Sequence, residues 1–386
     1  MKLTTFLVFF GIVLSVYTLV NYYIFSRGML ALPAHSQIRA MFPWIYWGLA
    51  SSYVVARVLE RVWLGPVSDI FMWVGSIWLS VFVYLLLSVL LVDLLRAVNY
   101  FVPFWNSIVG PETEKYKLFL FWGVISVTGL VVLGGFINAA TPRVNHYKLE
   151  LDKELPKEGI RIVAASDIHL GTLIGPSHVK NLVRLVNNQN PDIILLAGDV
   201  VDEDIAPVIR YDLGSYLKKL SAPMGVYAIT GNHEYIGGAE SAVTYLSKYG
   251  LKILRDTTVL VNNQLVIVGR EDKDKSRFSG KPRKGIEELM KGVDQTKPVI
   301  LLDHQPFNLD DAKKIPADIQ ISGHTHHGQL WPFGYITSAI FELSSGYLKK
   351  GGTHYFVSNG FGTWGPPVRT GNRPEILVID IFGKNR

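Results

Sequence analysis

The 386-residue chain contains no cysteine. Disulfides, thiolate nucleophiles and zinc–thiolate sites are therefore excluded, although the absence assigns no compartment. Internal repeats and low-complexity segments are also missing. No cluster of basic residues interleaved with aromatics stands out, so no specific nucleic-acid partner is expected. The net charge of +6 and pI near 9.2 are equally those of a protein with basic residues flanking membrane spans. The strongly apolar segments carry no paired charges in their interiors, which argues against a transporter or channel role.

What is present is unevenly distributed. Mean hydropathy is +0.24, high for a purely soluble protein, and the apolar residues concentrate in the N-terminal third. Residues 4–25, 70–95 and 118–138 are each long and apolar enough to cross a bilayer as a helix. Residues 43–64 form a weaker segment, interrupted by Arg57, Glu60 and Arg61, and read as a span with a charged end or an interfacial helix. The first segment reads as an uncleaved span, because no small-residue cleavage site follows it. Trp44, Trp63, Tyr100 and Trp105 near segment ends fit an interfacial aromatic belt or helix packing. Orientation stays open. With four spans, Lys2, Arg57, Arg61, Arg143 and Lys148 flank one side and Arg27, Arg39, Arg96, Lys115 and Lys117 the other. Residues 1–142 are thus expected to form a transmembrane region of three or four helices, with the lipid bilayer as its partner.

From Arg143 the pattern changes. Short apolar runs at 160–165, 192–197, 226–229, 265–268, 299–302, 319–321, 355–357 and 376–379 read as strands, with helices over 176–188 and 211–220. This alternation predicts an α/β layered domain over residues 143–386. Polar motifs follow five of the early strands: Asp167-Ile168-His169, Gly198-Asp199, Gly231-Asn232-His233-Glu234, His304, and Gly323-His324-Thr325-His326. Carboxylate, imidazole and amide groups are the side chains that bind divalent cations. Ligands at successive strand ends occupy the usual functional edge of such a sheet. Asp199 suits a bridging role, and two sites sharing it would stand about 3.5–4 Å apart, as two-metal hydrolases require. Asn232 is useful as a metal ligand and not as a base, while His233 beside it points toward substrate.

The ordered set D-x-H, G-D, G-N-H-E, H and G-H-x-H resembles the calcineurin-like metallophosphoesterase superfamily over residues 150–384. The closing run from Gly360 to Arg369, with Asn372-Arg373-Pro374-Glu375-Ile376, is similar to its bacterial membrane-associated branch. The resemblance implies a four-layer α-β-β-α sandwich. It implies one divalent metal (Mn, Fe or Zn) on Asp167, His169, Asp199 and His326, and a second on Asp199, Asn232, His304 and His324. His233 would protonate the leaving group or steady the transition state. It further implies an integral protein of the bacterial cytoplasmic membrane; the resemblance leans toward an outward-facing catalytic domain, and the side stays open. Cleavage of phosphomonoesters or phosphodiesters, including lipid-linked or envelope substrates, is the expected activity. A pyrophosphatase acting on a nucleotide-activated lipid precursor such as UDP-diacylglucosamine, and a non-catalytic metal-binding scaffold, are the alternatives.

Other residues carry weaker expectations. Asp202 orients a ligand or caps the following turn, and Glu234 orients His233 or is solvated. Arg369 binds phosphate or makes a loop salt bridge, and His327, where many relatives have glycine, contacts substrate or is exposed. His35, His146, His178 and His354 read as surface or packing residues. Gly360-x-Gly362-x-x-Gly365 mimics a dinucleotide fingerprint, but Pro366-Pro367 prevents a phosphate-binding helix from following. The apolar stretch from Leu330 to Leu348, ending in Lys349-Lys350, is either an arm that dips into the membrane interface or a packed helix. The sequence sets no oligomeric state.

Overall fold

A computed structural model describes residues 3–104, 113–315 and 317–383; Lys2 and Trp105 lie outside them. The chain divides into two units, residues 1–136 with 365–368 and residues 137–364 with 369–386.

The first unit is helical: α1 (Leu3–Ala31), α2 (Gln37–Val62), α3 (Pro66–Phe101) and α4 (Glu114–Ala139). Local signals set the helix starts. The Ser36 hydroxyl accepts from the Arg39 amide at 3.2 Å to cap α2. Pro66 opens α3 where its missing N–H costs nothing. Among the described residues, α3 and α4 are long and apolar enough to cross a membrane. The weak segment 43–64 lies within α2, a helix that contains Pro43. Ile24, Tyr46, Ala50 and Trp78 make a small interior cluster. Its polar atoms are paired: Trp78 Nε1 donates to the Tyr17 hydroxyl at 3.0 Å, and Tyr17 donates to Ala50 O at 2.8 Å. Trp44, Trp63 and Tyr100 are exposed.

The second unit holds two six-stranded mixed sheets. The first has the order β1-β12-β2-β3-β4-β5 and the second β10-β11-β9-β8-β7-β6. Their ranges are β1 (Arg143–Leu151), β2 (Ile160–Ala165), β3 (Ile193–Ala197), β4 (Val226–Ile229), β5 (Lys252–Leu254), β6 (Thr257–Val261), β7 (Leu265–Gly269), β8 (Val299–Leu302), β9 (Ile319–Ser322), β10 (Gly346–Lys350), β11 (Thr353–Val357) and β12 (Glu375–Gly383). The β2–β3–β4–β5 and β7–β8–β9–β11 runs are parallel. Strand alternation explains the packing. Ile162, Ala164, Ile193 and Leu195 join Ile267, Ile300, Ile319 and Phe356 in one core between the sheets. Val163, Ile194 and Leu196 point the other way, onto Val179 and Leu182 of the helix Pro176–Asn187. Beyond the second sheet, Val266, Val268 and Leu301 pack on Ile286, Leu289 and Leu309.

The structure corrects several expectations of detail. The helix predicted over 211–220 is instead two short ones, Ile205–Arg210 and Leu213–Leu217. Asp204 caps the first, and Asp212, in a left-handed conformation (φ 48°), separates it from the second. Strand β1 was missed because its sequence, RVNHYKLEL, is half polar; it forms by parallel pairing along all of β12. The stretch after Leu330 is neither one arm nor one helix. It is a short helix, Gly334–Ile340, followed by β10 at the sheet edge. Its basic end is tied down, with Lys350 Nζ 2.7 Å from Glu342 and 2.8 Å from Asp310.

Candidate metal centre

The five motifs converge. Asp167 and His169 follow β2, Asp199 follows β3, Asn232 and His233 follow β4, His304 follows β8, and His324 and His326 follow β9. Parallel strands end at the same edge, so the fold gathers loops of both sheets there. Three groups with mutually close ligand atoms result: Asp167–His169–His326, His169–Asp199–His233 and Asp199–His304–His324. Asp199 belongs to two of them. His304 Nε2 lies 3.0 Å from Asp199 Oδ2 and 3.9 Å from Asp167 Oδ1. His169 Nε2 and His326 Nε2 are 3.0 Å apart, and His324 Nδ1 is 2.8 Å from Asn232 Oδ1.

The backbone is bent to achieve this. Asp167, His169, Asp199, His324 and His326 all have positive φ, between 44° and 71°. Such conformations cost about 1–3 kcal/mol each and concentrate at functional sites. Gly198, at φ +89°, is required twice over, since a Cβ there would stand 2.6 Å from His304 Nδ1. At Gly323 a Cβ would fall 2.1 Å from Asp167 Oδ2.

The donor chemistry fits divalent cations. Asp167 Oδ2 is buried without a hydrogen-bond partner, a state that polar atoms rarely keep unless a ligand completes them, and His304 Nε2 faces the carboxylates of Asp199 and Asp167. His304 Nδ1 donates to Ala197 O at 2.7 Å, so Nε2 is the nitrogen turned to the cluster. Backbone amides fix the carboxylates: His324 N donates to Asp167 Oδ1 at 2.8 Å and His233 N to Asp199 Oδ1 at 2.9 Å.

Protonation follows from crowding these groups together. Burial raises the Asp167 carboxyl above its usual range. Burial opposes charge on Asp199 too, but His304 and His233 outweigh it and hold the carboxylate well below that range. His304 is disfavoured by burial yet raised well above the ordinary imidazole value by Asp199. His324 is pushed down to about 3 by burial and the neighbouring His304. For His233, Asp199 and Asp202 overcome burial and raise the imidazole to about 9.

The supporting residues differ in part from expectation. Asp202 Oδ1 lies 3.0 Å from His233 Nδ1 and 3.4 Å from His169 Nδ1, while Asp204 serves as the helix cap. Glu234 is buried and neither solvated nor turned to His233. It accepts from the amides of Asp199 (3.2 Å), Val201 (2.8 Å) and Gly231 (2.7 Å), tying the loops after β3 and β4 together. Arg369 is fully buried. Its guanidinium donates to Gly362 O at 2.6 Å and to Asn372 Oδ1 at 2.5 Å, and lies 3.0 Å from His326 Nδ1. His327 turns to Ser344 Oγ (2.9 Å) rather than to the cluster. Gly362 donates to Asp167 O at 2.8 Å, and no helix follows it, so the glycine run is a loop wrapped on the metal edge.

Sequence reading passed over Trp364. Gln329 grips its backbone twice, accepting from Trp364 N at 2.9 Å and donating to Trp364 O at 3.1 Å. The indole is left exposed with its ring centre 6.4 Å from that of His233. Its position in the closing glycine-rich run was the available signal.

A two-sheet α/β domain with clustered Asp, Asn and His at one strand edge defines a metal-dependent hydrolase. Residues 160–328 match the sequence profile of the calcineurin-like phosphoesterases. A metallophosphoesterase of Aquifex aeolicus (strain VF5) is 38% identical over 259 residues, covering 66% of this chain and 98% of that protein. A metallophosphoesterase of Campylobacter jejuni (serotype O:2) is 27% identical over 401 residues, 98% of this chain and 99% of that one. A transmembrane protein with metallophosphoesterase domain from Danio rerio is 31% identical over 268 residues, 66% of this chain and 60% of that one. The chain belongs to the calcineurin-like phosphoesterase family and is a metal-dependent phosphoester hydrolase.

Proposed function

We propose that this protein is a membrane-anchored hydrolase with a two-metal centre, acting on phosphomonoesters or phosphodiesters presented at or near a bilayer. Residues 1–142 would supply three or four spans, and residues 143–386 the four-layer α-β-β-α domain. The observation that carries the reading is the convergence of Asp167, His169, Asp199, His304, His324 and His326 in groups of mutually close ligand atoms, with Asn232 Oδ1 2.8 Å from His324. Asp167, His169, Asp199 and His326 would hold one divalent ion, and Asp199, Asn232, His304 and His324 the other. Bound divalent ions supply Lewis-acid stabilisation of phosphoryl oxygens and an acidified water.

The remaining work falls to the chain's own groups. His233 stands outside both ligand sets with Asp202 at its back, and delivers a proton to the departing oxygen. Trp364 provides an apolar wall beside it for the leaving group. Five large apolar side chains, Trp331, Phe333, Tyr335, Ile336 and Ile340, are exposed within ten residues of chain. Such a patch on a soluble domain marks an interaction surface, and here it is assigned to the bilayer interface or to lipid tails of the substrate.

The test is hydrolysis of bis(p-nitrophenyl) phosphate by the full-length protein with Mn²⁺, Fe²⁺ or Zn²⁺. Activity lost on chelation and restored by metal is expected. Wild-type protein inactive with all three ions contradicts the reading. A reporter fused to the C-terminus assigns the side of the membrane on which the domain acts.

A further inference from the structure

We infer that the helical unit holds an anionic phospholipid, drawn from the bilayer, in a cavity between α1, α2, α3 and α4. The inference rests on the membrane reading above but not on the catalytic one. The cavity measures about 880 Å³, within the range of about 300–1,000 Å³ typical of ligand sites. Most of its wall is apolar, with Phe42, Tyr46, Trp78, Leu85 and Phe121 among the lining residues. Acyl chains suit such a wall, and a polar occupant does not.

The cavity is not uniformly apolar. Arg27, Arg96 and Lys117 also line it, with Asp93 as the acidic member. Arg27 near the end of α1 and Arg96 near the end of α3 meet at Asp93, and Lys117 in the first turn of α4 lines the same cavity wall. Arg27 Nη2 lies 2.8 Å from Asp93 Oδ2 and Arg96 Nη1 3.8 Å from Asp93 Oδ1, while the Tyr23 hydroxyl donates to the same carboxylate at 2.5 Å. Basic side chains in a membrane segment are costly unless neutralised. Three cations against one carboxylate leave the wall of an otherwise apolar slot with net positive charge. An amphiphile with an anionic head and hydrocarbon tails complements both parts. Basic pockets between membrane helices are a known arrangement for anionic headgroups. A zwitterionic lipid would fill the slot without offsetting that charge.

Full-length protein is stripped of lipid in detergent and exchanged into micelles holding equal dioleoylphosphatidylglycerol and dioleoylphosphatidylcholine. Native mass spectrometry then counts the lipid retained per chain. The expected result is one retained phosphatidylglycerol, favoured about fivefold or more over phosphatidylcholine. Lys117→Gln should lower that preference about fivefold, the size of one basic residue's pull on an anionic surface. Lys117→Arg, which keeps the charge, should leave it unchanged. Gly129 also lines the cavity, and a Cβ there meets nothing within 4 Å. Gly129→Leu should therefore fill the slot and reduce retention of both lipids. Equal retention of the two lipids by the wild type overturns the proposal, as does an unchanged preference in Lys117→Gln. Extraction of the protein from native membranes by a high-pH wash would instead refute the membrane anchoring itself, so the two failures are distinguishable.

Discussion

In the helical unit, Leu19, Ile70, Phe119 and Leu130 point outward, and the side chains turned inward include Asn21, Ser52, Ser76 and Thr128. In the second unit Ile162, Leu195, Ile300 and Ile379 are fully enclosed, as are Asp167 and His304. The contrast shows that burial of polar groups has two meanings. In the helical unit, Asn21 donates to Tyr17 O at 2.8 Å and Ser52 to Leu49 O at 2.5 Å, so these inward groups are met within their own helices. In the sheet domain water was available to these carboxylates and imidazoles, so their desolvation demands a compensating ligand.

That contrast can be broken experimentally, and the metal cluster gives the largest effect. Asp199→Ala should abolish hydrolysis of bis(p-nitrophenyl) phosphate in steady-state assays, while far-ultraviolet circular dichroism stays that of the wild type. Full activity would remove the carboxylate from the centre. His233→Ala should lower kcat by about 10²–10⁴ without changing the metal content measured by inductively coupled plasma analysis. Loss of metal in that variant would make His233 a ligand instead of a proton donor.

A smaller effect is expected at the exposed patch. Tyr335→Ser, Ile336→Ser and Ile340→Ser combined should raise KM for a long-chain lipid phosphodiester about tenfold through lost apolar contact, with the soluble diester unaffected. These substitutions lie in the helix Gly334–Ile340 and leave β10 intact. Equal loss on both substrates would return the patch to a packing role.

The smallest effect concerns Asp272. Burial raises its carboxyl from 3.8 to about 7. A raised acid favours the folded state at low pH, and that contribution is lost as pH climbs from about 4 through about 7. In metal-free protein, Asp272→Asn should therefore raise the melting temperature at pH 8 more than at pH 5. The Gln305 and Asp274 donors to Oδ1, both at distances of 2.7–2.8 Å, would be kept. An equal gain at the two pH values would locate the effect in packing.

The comparison also explains what the sequence could disclose. Ile160–Ala165 and Val299–Leu302 were legible as strands because every residue but Arg161 is apolar and turn or ligand motifs bound them. The residues of the cluster were legible because their types and order are chemically narrow. Strand β1 was hidden by its polar alternation, and β10 by a run of apolar residues that read as a single arm. The buried settings of Arg369 and Glu234 were not legible because a charge in a loop looks solvated until tertiary contacts enclose it. The partners of Glu234 are amides up to 35 positions away, and those of Arg369 include His326, 43 positions away. Trp364 gave too little signal alone, since its relation to His233 exists only after folding.

Metal stoichiometry tests the central claim most directly. Full-length protein reconstituted with Mn²⁺ and freed of excess ion should carry two metals per chain, while Asp199→Ala, which removes the shared ligand, should hold neither firmly. A wild type that binds one ion at most, or an Asp199→Ala variant that still binds two, would contradict the account.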